Sequence, residues 1–426
     1  MDERRATVMG LGTFGGGAGA VRHLCALGYD VLVTDMAQAE QLTTSLEAIR
    51  DLVDSGAVTL RLGEHNVSDF TTCDLVVANP AVKKPWENRF IRAARAAGVR
   101  VTTEIGLVID ALPRSSTLIG VTGSSGKSTT SAMIHAGLNA AGVHALLGGN
   151  IGGSLLGEEH PANAALVLEL SSAMLWWLAQ PGCTERRQFL DAALITNIAP
   201  NHVDWHGTVG HYTQSKLGIA RVLRDKSTLL VGSGVEIDDV RAHKLGIDQS
   251  LPELATPGAH NRVNASAALA ACEALGTDRG RAIAGIAGFR GLPHRLEHVR
   301  THRGVRWYND SKSTTPEATR LAFEALLPSR VHLIVGGSDK GVDLAPIAEL
   351  MSRGAALYCI GQTGETIARL AGVEAVGTLG EAVRLAAENA QEGDAVALSP
   401  GCASFDQFRS FEDRGNRFRD LVDSLG

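Results

Sequence analysis

The chain has 426 residues, which is long for one hydrophobic core and predicts about two to four domains. Hydrophobic residues make up 44% of the sequence and charged residues 20%, a balance that is typical of folded globular proteins and excludes a disordered chain. The formal net charge of −6 argues against DNA or RNA as the main partner, because general nucleic-acid binders are usually basic.

The cysteines and the N-terminus indicate the compartment. The six cysteines are scattered and form no Cys-x-x-Cys pair, which predicts reduced thiols rather than a disulfide or zinc framework. The charged N-terminus runs directly into a strand-like stretch without the apolar segment of a signal peptide, and no apolar stretch is long enough to span a bilayer. We therefore expect a cytoplasmic protein that does not insert into membranes.

Short apolar runs alternate with Ala- and Leu-rich helical patterns along the whole chain. The clearest runs are residues 31–33, 75–77, 166–168, 193–195, 332–335 and 395–398. This alternation predicts an α/β protein with parallel sheets covered by helices, and ligand sites just after the strands. Pro and Gly cluster near residues 112–116 and 288–293, which predicts three domains, 1–112, 113–290 and 291–426.

The first predicted domain begins with a Gly-x-Gly-x-x-Gly turn at residues 10–15. Asp35 ends the next apolar run about 20 residues further on, a spacing that is typical of dinucleotide-binding folds. The same turn suits any pyrophosphate near a helix start. The pattern therefore leaves open a bound dinucleotide, a non-redox nucleotide such as a UDP-sugar, and a tight turn without a ligand.

The second predicted domain opens with a nucleotide-binding pattern. An apolar strand runs into a Gly-Ser-Ser-Gly turn at residues 123–126, and Lys127 then begins a Lys-Ser-Thr helix start. Glycines let backbone N–H groups approach phosphates, the lysine adds positive charge, and a hydroxyl can bind Mg²⁺. The strict motif has a glycine where this chain has Val121, so the loop is a variant. The stretch predicts a nucleoside triphosphate site, and the alternative is a ligand-free strand-to-helix turn.

Three later positions in this domain are candidates for chemistry. Glu169 ends a buried strand pattern and suits a Mg²⁺ ligand, or else a helix-start acid. His202, Asp204 and His206 could form a transition-metal site, but we expect His202 to contact Mg²⁺ or substrate and the other two to hold the loop. A turn histidine with a structural role is the alternative. Lys216 near a helix start is, from local sequence alone, a surface lysine.

The third predicted domain carries polar loops at three strand ends. These loops span residues 309–315, 336–341 and 398–408. They contain lysine, aspartate and serine residues, among them Asp310 and Lys312, and together they predict recognition of a small anionic compound. Ordinary polar loops are the alternative for each one singly.

Taken in order, these motifs resemble the Mur ligases, the ATP-dependent amide-forming enzymes of peptidoglycan precursor synthesis. The resemblance covers nearly the whole chain and is carried by Thr122–Thr129, Gly148–Gly152, Leu168–Ser172, Asn201–Asp204, Leu292–Arg295, Asn309–Lys312 and Leu398–Ser404. It is closest to the MurD type, which adds D-glutamate. Sister branches that add L-alanine or a diamino acid carry an acidic-Tyr-Ala-His motif in place of the Asn-Asp-Ser-Lys motif of this chain.

The resemblance implies both a fold and an activity. The fold would comprise a Rossmann-like N-terminal domain for a UDP-sugar, a central P-loop ATPase domain with a parallel sheet, and a C-terminal Rossmann-like α/β domain for the amino acid. The activity would be addition of D-glutamate to UDP-N-acetylmuramoyl-L-alanine through an acyl phosphate, with ATP and Mg²⁺, by a cytoplasmic monomer. Alternatives are a Mur or folylpolyglutamate-type ligase for another amino acid, a nicotinamide-dependent oxidoreductase, and a non-catalytic ATP-binding scaffold.

The resemblance also implies residue roles. Catalytic roles fall to Lys127, His202 and Lys216, of which Lys216 matches the family's carbamylated lysine; its amine must be neutral to take up CO₂, which requires a depressed pKa. The implied ATP contacts are Gly123, Ser124, Ser125, Gly126, Lys127, Ser128, Thr129, Asn261, Arg295 and Asp310. The implied metal site comprises Ser128, Glu169, His202 and Lys216. The implied substrate contacts are Thr13, Asp35, Asn150, His294, Lys312, Thr314, Lys340, Ser404, Phe405 and Phe411.

Overall fold

A computed structural model describes residues 4–12, 15–151, 154–157, 160–161, 163–339 and 341–426. The strands of these residues form three sheets of five, six and six strands, with helices between them. The predicted α/β class with three sheet-containing regions is thereby confirmed.

The chain divides into two compact units. Met1–Gln249 and Asn264–Ile286 form the first unit, and Ser250–Val263 and Ala287–Gly426 form the second. The first unit contains two of the sheets and the second contains the third sheet. The domain limits at residues 112 and 290 stay a prediction.

The first sheet lies at the start of the first unit. Its strands are β1 (Arg5–Met9), β2 (Asp30–Asp35), β3 (Val58–Leu62), β4 (Leu75–Ala78) and β5 (Arg100–Thr102). The helices of this region are α1 (Gly16–Ala26), α2 (Thr43–Glu47), α3 (Arg50–Asp54), α4 (Val67–Thr71), α5 (Arg89–Ala96) and α6 (Glu104–Ala111), with a 3₁₀ helix over Ala39–Gln41. All pairs are parallel in the order β3-β2-β1-β4-β5, and the order reverses between β1 and β4. A crevice at the carboxyl ends of these two strands follows from that reversal.

The second sheet is also fully parallel. Its strands are β6 (Thr117–Thr122), β7 (Ala145–Gly149), β8 (Ala165–Glu169), β9 (Leu190–Ile195), β10 (Leu223–Val231) and β11 (Ala242–Lys244). The helices over this part of the chain are α7 (Lys127–Ala140), α8 (Ser172–Leu178), α9 (Val203–His206), α10 (Val209–Leu217), α11 (Ala259–Ala274) and α12 (Arg279–Ala287), with a 3₁₀ helix over Gly218–Arg221. The order is β11-β10-β9-β6-β8-β7. Val121 pairs with Glu169, and Thr122 pairs with Ile195, so the loops after β6, β8 and β9 leave the same edge of the sheet.

The third sheet belongs to the second unit. Its strands are β12 (Glu297–His302), β13 (Val305–Asn309), β14 (Val331–Gly336), β15 (Ala356–Ile360), β16 (Ala375–Gly377) and β17 (Ala395–Leu398). Its helices are α13 (Pro316–Leu326), α14 (Ala345–Ala348), α15 (Gly364–Ala371), α16 (Leu379–Asn389) and α17 (Phe411–Asp423), with a 3₁₀ helix over Glu349–Arg353. The order is β12-β13-β17-β14-β15-β16, in which β12 and β13 pair antiparallel and the remaining pairs are parallel.

Apolar side chains cover both faces of the third sheet. Trp307 and Phe418 are buried in the cluster on one side, and Phe323 and Leu333 are buried in a separate cluster. Burial on both faces is the reason why these strands read as continuous apolar runs in the sequence. Within the described ranges, no helix has both the length and the apolar character needed to cross a membrane.

Candidate active site

The turn between β6 and α7 depends on its two glycines. Gly123 has φ +149° and Gly126 has φ +77°, which side chains with a Cβ rarely adopt. A Cβ at Gly123 would also collide with the hydroxyl of Thr196, and one at Gly126 would lie 2.6 Å from Oδ1 of Asn264. The strand-to-helix turn predicted from the sequence is therefore present and admits only glycine at both ends.

The loop is fixed by the segment that follows β9. Ser124 N donates to the Asn197 carbonyl at 2.9 Å, and Ser125 N donates to Asn197 Oδ1 at 3.0 Å. Ser124 Oγ also lies 2.8 Å from the Tyr212 hydroxyl. The backbone amides of Ser124 and Ser125 are thus engaged in holding the loop. The first N–H groups of α7, which begins at Lys127, have no acceptor within the helix, and they are the donors that an anion would meet.

Lys216 is buried against this loop, with only 2% of its surface exposed. Its Nζ donates to the Gly123 carbonyl at 2.7 Å and lies 4.9 Å from the centre of the Tyr212 ring. Burial lowers the pKa of Lys216 to about 7; the charge of Lys127 lowers this pKa further, and the carboxylate of Glu169 opposes the shift. The expectation of a surface lysine, made from local sequence alone, is wrong. A depressed pKa is what CO₂ uptake requires.

Glu169 presents a carboxylate oxygen that lacks a hydrogen-bond partner. Asn150 Nδ2 donates to Oε1 at 3.1 Å, and Asn150 N donates to the Glu169 carbonyl at 2.9 Å. Oε2 is buried and accepts no hydrogen bond from any described residue. Since a buried carboxylate oxygen without a partner is costly, the position fits a cation.

The donor set also fits Mg²⁺ more closely than a transition metal. The described residues contain no cluster of three or more His, Cys, Asp or Glu side chains able to hold a metal ion. Mg²⁺ is usually bound by one or two carboxylates together with waters and substrate phosphates, so a single free carboxylate beside a phosphate loop is sufficient. Ser128 follows Lys127 on the first turn of α7, and its role as a Mg²⁺ ligand stays a prediction.

The His202 segment separates into an exposed residue and a buried network. His202 is exposed, has φ +48° and is the N-cap residue of α9. His206 is buried; its Nδ1 lies 2.9 Å from Nδ1 of His211 and its Nε2 lies 2.9 Å from Oγ of Ser172. Burial, followed by the neighbouring His211 and other charges, lowers the pKa of His206 to about 4.

These contacts argue against the alternative of a transition-metal site. Both ring nitrogens of His206 are engaged, and the carboxylate of Asp204 lies 2.9 Å from Nζ of Lys83. The two residues hold the turn, as expected. The ring centre of His202 lies 6.2 Å from that of Tyr212, which in turn contacts Lys216.

In the first sheet, Asp35 braces the glycine turn. Its Oδ2 accepts from the amides of Leu11 at 2.8 Å and Gly12 at 3.4 Å, and its Oδ1 accepts from the amide of Ala37 at 2.9 Å. Both oxygens are therefore bonded to the backbone, and a substrate contact by Asp35 stays a prediction. Thr13 lies outside the described residues.

The second unit gathers several of the predicted ligand-binding residues. Asp310 is buried, and its carboxylate accepts from the Leu296 amide at 3.0 Å and the Ser399 hydroxyl at 2.7 Å; burial raises its pKa to about 6. His294 is buried too, with Nδ1 3.0 Å from Asn309 Nδ2, and burial lowers its pKa.

The remaining predicted residues of this unit differ in exposure. Lys312 is exposed, with Nζ 5.0 Å above the Phe411 ring, and Phe405 is 71% exposed. Ser404 is buried, and its Oγ has no hydrogen-bond partner among the described residues. Arg295 is exposed and Thr314 is half-buried. Asn261 is buried, and its Nδ2 donates to the Pro257 carbonyl at 2.7 Å. Lys340 lies outside the described residues.

Arg414 is a residue that the sequence analysis missed. It lies on α17, is fully buried, and has its pKa lowered by burial to about 10. Its guanidinium donates to the Ser311 hydroxyl at 3.0 Å and carbonyl at 2.9 Å, and to the carbonyls of Cys402 and Ala403 at 3.1 Å. It therefore ties together the loops after β13 and β17. Tyr212 was missed likewise, although it precedes Lys216 by four residues on α10, a spacing at which side chains on a helix are neighbours.

Comparisons with known proteins agree with this geometry. The family model "Mur ligase MurD-like, N-terminal domain" matches residues 4–103, "Mur ligase middle domain" matches 121–246, and "Mur ligase, glutamate ligase domain" matches 294–402. A UDP-N-acetylmuramoylalanine–D-glutamate ligase of Symbiobacterium thermophilum is 36% identical over 99% of this chain and 98% of its own length. The ligase of the same name from Anaeromyxobacter dehalogenans is 37% identical over 98% of this chain and 97% of its own length.

A solved structure supports the fold independently. The UDP-N-acetylmuramate-alanine ligase of Thermotoga maritima superposes with a TM-score of 0.59 at 19% identity, covering 99% of each chain. At that identity the likeness concerns the fold alone, whereas the curated relatives and the three domain matches concern the family. The chain belongs to the Mur ligase family and, within it, to the MurD type.

Proposed function

We propose that the chain is the ATP-dependent ligase that joins D-glutamate to UDP-N-acetylmuramoyl-L-alanine in peptidoglycan precursor synthesis. The observation that carries the proposal is the buried Lys216, which donates to Gly123 of the phosphate loop and whose pKa is about 7. Neither an oxidoreductase nor a non-catalytic scaffold requires a neutral buried amine at a phosphate loop. The printed names of the relatives supply the two substrates.

The proposed reaction has two steps. The substrate carboxylate is a poor electrophile, so its oxygen first attacks the terminal phosphorus of ATP, giving an acyl phosphate and ADP. The amine of D-glutamate, once it has lost a proton to His202 or a nearby carboxylate, then attacks the acyl carbon. The C–N bond forms, the C–O bond to phosphate breaks, and phosphate leaves with the second proton released from the nitrogen. Lys127 and the first-turn amides of α7 offset the charge that develops on the phosphates. Exclusion of water protects the acyl phosphate from hydrolysis.

The metal and Lys216 would act together. The neutral amine of Lys216 would attack CO₂, form an N–C bond and lose one proton, which gives a carbamate anion. Ser128, Glu169 and this carbamate would then hold Mg²⁺, with His202 at the substrate side. When bound, the ion would supply positive charge that offsets the phosphates.

The second unit would bind the amino acid and part of the nucleotide. D-Glutamate carries two carboxylates, and the ammonium of Lys312 together with the unpartnered hydroxyl of Ser404 supports an anion site there. Other proposed contacts to D-glutamate are Thr314, Lys340, Phe405 and Phe411. The proposed ATP contacts in this unit are Asn261, Arg295 and Asp310, with His294 beside them.

The test measures phosphate release from ATP in the presence of UDP-N-acetylmuramoyl-L-alanine and D-glutamate. Control reactions omit each of these two substrates in turn. Parallel reactions replace D-glutamate by L-glutamate or L-alanine, or add NAD. We expect release only with the complete set and D-glutamate, and a product heavier by one glutamyl residue in the mass spectrum. Turnover with another amino acid only, or with NAD, would contradict the proposal. We also propose that the protein is a cytoplasmic monomer. Light scattering after size-exclusion chromatography tests its oligomeric state.

A further inference from the structure

The reversal in the first sheet creates a crevice beside Gly10. Asn79, directly after β4, donates from its amide N to the Met9 carbonyl at 2.9 Å and from Nδ2 to the Gly10 carbonyl at 3.4 Å. A Cβ at Gly10 would lie 3.0 Å from Cβ of Asn79, so the two strand ends are in close contact. In open α/β sheets, ligands bind outside the carboxyl ends of the strands at such a reversal. Asn79 therefore lies at the wall of a predicted ligand crevice, and the segment 79–87 begins there.

This segment is held rigidly against the His202 turn. Trp205 Nε1 donates to the Pro80 carbonyl at 3.1 Å, and Lys84 N donates to the Trp205 carbonyl at 3.3 Å. Within the segment, Glu87 N donates to the Lys84 carbonyl at 2.8 Å. The wall of the crevice and the turn that carries His202 are thus joined by hydrogen bonds.

Two residues of these joined segments have left-handed backbones. Lys84 has φ +43° and His202 has φ +48°. Among the described residues of the first unit, these two are the non-glycine residues with a positive φ. Such a conformation costs free energy in a residue with a Cβ and is found preferentially at functional sites. The Lys84 side chain extends along the turn, with Cε 3.6 Å from the position of a Cβ on Gly207.

We infer that the ammonium of Lys84 binds the diphosphate of the UDP-sugar substrate and is a specificity-determining residue. The inference rests on the proposed function. In that substrate, the diphosphate links a nucleotide at the first sheet to a carboxyl that must reach Lys127 and Glu169 of the second sheet. The segment 79–87, which begins at the crevice, and the His202 turn, both of the first unit, connect these two regions. A lysine at this junction presents a compact positive charge that suits phosphate oxygens.

The preceding lysine differs in its contacts. Lys83 Nζ lies 2.9 Å from Oδ2 of Asp204, so a carboxylate offsets its charge. Lys84 Nζ lies 4.0 Å from Oε2 of Glu87, at the limit of an ion pair, and both side chains are solvent-exposed. Removal of Lys83 would also disturb the Asp204 turn, so the control for loss of one lysine charge is Lys226, which is exposed on β10.

The test compares steady-state kinetics of the full-length wild-type protein with those of Lys84→Met, which keeps the aliphatic stem and removes the charge. We expect the KM for UDP-N-acetylmuramoyl-L-alanine to rise about tenfold, as for loss of one hydrogen bond to a charged group. The KM for ATP, the KM for D-glutamate and kcat should stay within about twofold of wild type, because the contact is the same in the ground and transition states. Lys84→Arg should recover most of the loss.

Two further measurements separate binding from a structural role. With N-acetylmuramoyl-L-alanine, which lacks the uridine diphosphate, wild type and Lys84→Met should react at equal rates. Calorimetric titration with UDP should show about tenfold weaker binding to Lys84→Met, whereas uridine should bind both proteins equally. The titration needs no turnover, so it tests Lys84 even if the amino acid of the proposed reaction proves to be another one.

Several results would overturn the inference. One is an unchanged KM for the UDP-sugar in Lys84→Met. The others are an equal rise of this KM in Lys226→Met and a defect of Lys84→Met that persists with the truncated substrate. An unchanged affinity for UDP would overturn it as well. Failure of the proposed function would instead be seen in the wild-type protein, as absence of D-glutamate-dependent phosphate release.

Discussion

The two candidate sites place their lysines differently. In the first unit, Lys216 is buried beside the phosphate loop and donates to the Gly123 carbonyl. In the second unit, Lys312 is exposed, and the buried cation is Arg414, which joins two loops. We infer that the buried lysine is positioned for the chemical step, whereas the exposed lysine is positioned to contact an amino acid that diffuses in. Variants of the first site should therefore lower kcat, and variants of the second should alter KM or stability.

The largest effect is expected for Lys127→Ala at the phosphate loop. Loss of its charge next to the developing charge on the phosphates should lower kcat by about a thousandfold, the upper end for removal of one such group. Phosphate release from ATP measures it, and Lys226→Ala, at an exposed position of β10, is the control for net charge. Near-normal turnover of Lys127→Ala would show that the phosphate loop takes no part in the reaction.

The next largest effect is expected for removal of the buried amine of Lys216. Lys216→Ala should lower kcat by about a hundredfold, because the carbamate that would hold the metal cannot form. Added short carboxylates such as acetate should restore part of the activity in Lys216→Ala and leave wild type unchanged. Equal activity of the variant and wild type would show that burial of Lys216 has no catalytic purpose.

The pKa of Lys216 also predicts a dependence on pH. With a pKa lowered to about 7, the amine is mostly protonated below pH 7 and neutral above it, so CO₂ uptake is favoured as pH rises through 7. Enzyme freed of CO₂ should regain activity when it is equilibrated with CO₂ gas at the same partial pressure at each pH, which keeps dissolved CO₂ constant. Recovery should be about tenfold faster at pH 8 than at pH 6, since the neutral fraction of the amine rises by roughly that factor. A recovery rate that does not change with pH would contradict the proposed amine chemistry.

In the second unit the expected effect of Arg414→Met is on stability. Removal of the guanidinium leaves the carbonyls of Cys402 and Ala403 and both oxygens of Ser311 without this donor, which should lower the free energy of unfolding by about 3 kcal/mol. Denaturant unfolding measures the change. Arg417→Met, exposed on the same helix, should change it by less than about 0.5 kcal/mol. Equal stability of the two variants would show that the buried arginine does not hold the loops together.

The smallest effect is expected at the exposed lysine. Lys312→Met should raise the KM for D-glutamate about tenfold and leave the KM for ATP nearly unchanged, because it removes one charged contact to a carboxylate. Lys340→Met is expected to behave alike on the basis of the resemblance. Equal increases in the KM for D-glutamate and the KM for ATP would contradict the assignment of Lys312 to D-glutamate binding.

The sequence predicted the elements that depend on local patterns. The glycine turn before Lys127 and the placement of Glu169 at a strand end follow from residue spacing, and the structure has both. The alternation of apolar runs predicted three regions of parallel sheet. It did not predict that β12 pairs antiparallel with β13, because strand direction depends on the short turn that joins them.

The features that could not be predicted depend on contacts distant in sequence. Lys216 is buried against Gly123 of the phosphate loop, and no pattern near residue 216 contains that contact. Arg414 lies in a helix rich in charged residues, and its burial is decided by carbonyls of two separate loops. In both cases the resemblance or the structure was needed, since single-residue burial of charged groups is rare and has no local signature.

The most direct test of the central claim follows the oxygen of the substrate carboxyl. UDP-N-acetylmuramoyl-L-alanine labelled with ¹⁸O in that carboxyl is incubated with ATP and D-glutamate, and the released phosphate is analysed by mass spectrometry. If the site transfers the terminal phosphoryl group of ATP to the carboxyl, the phosphate carries one ¹⁸O atom derived from the substrate. Unlabelled phosphate, with the amide formed at the normal rate, would contradict the account.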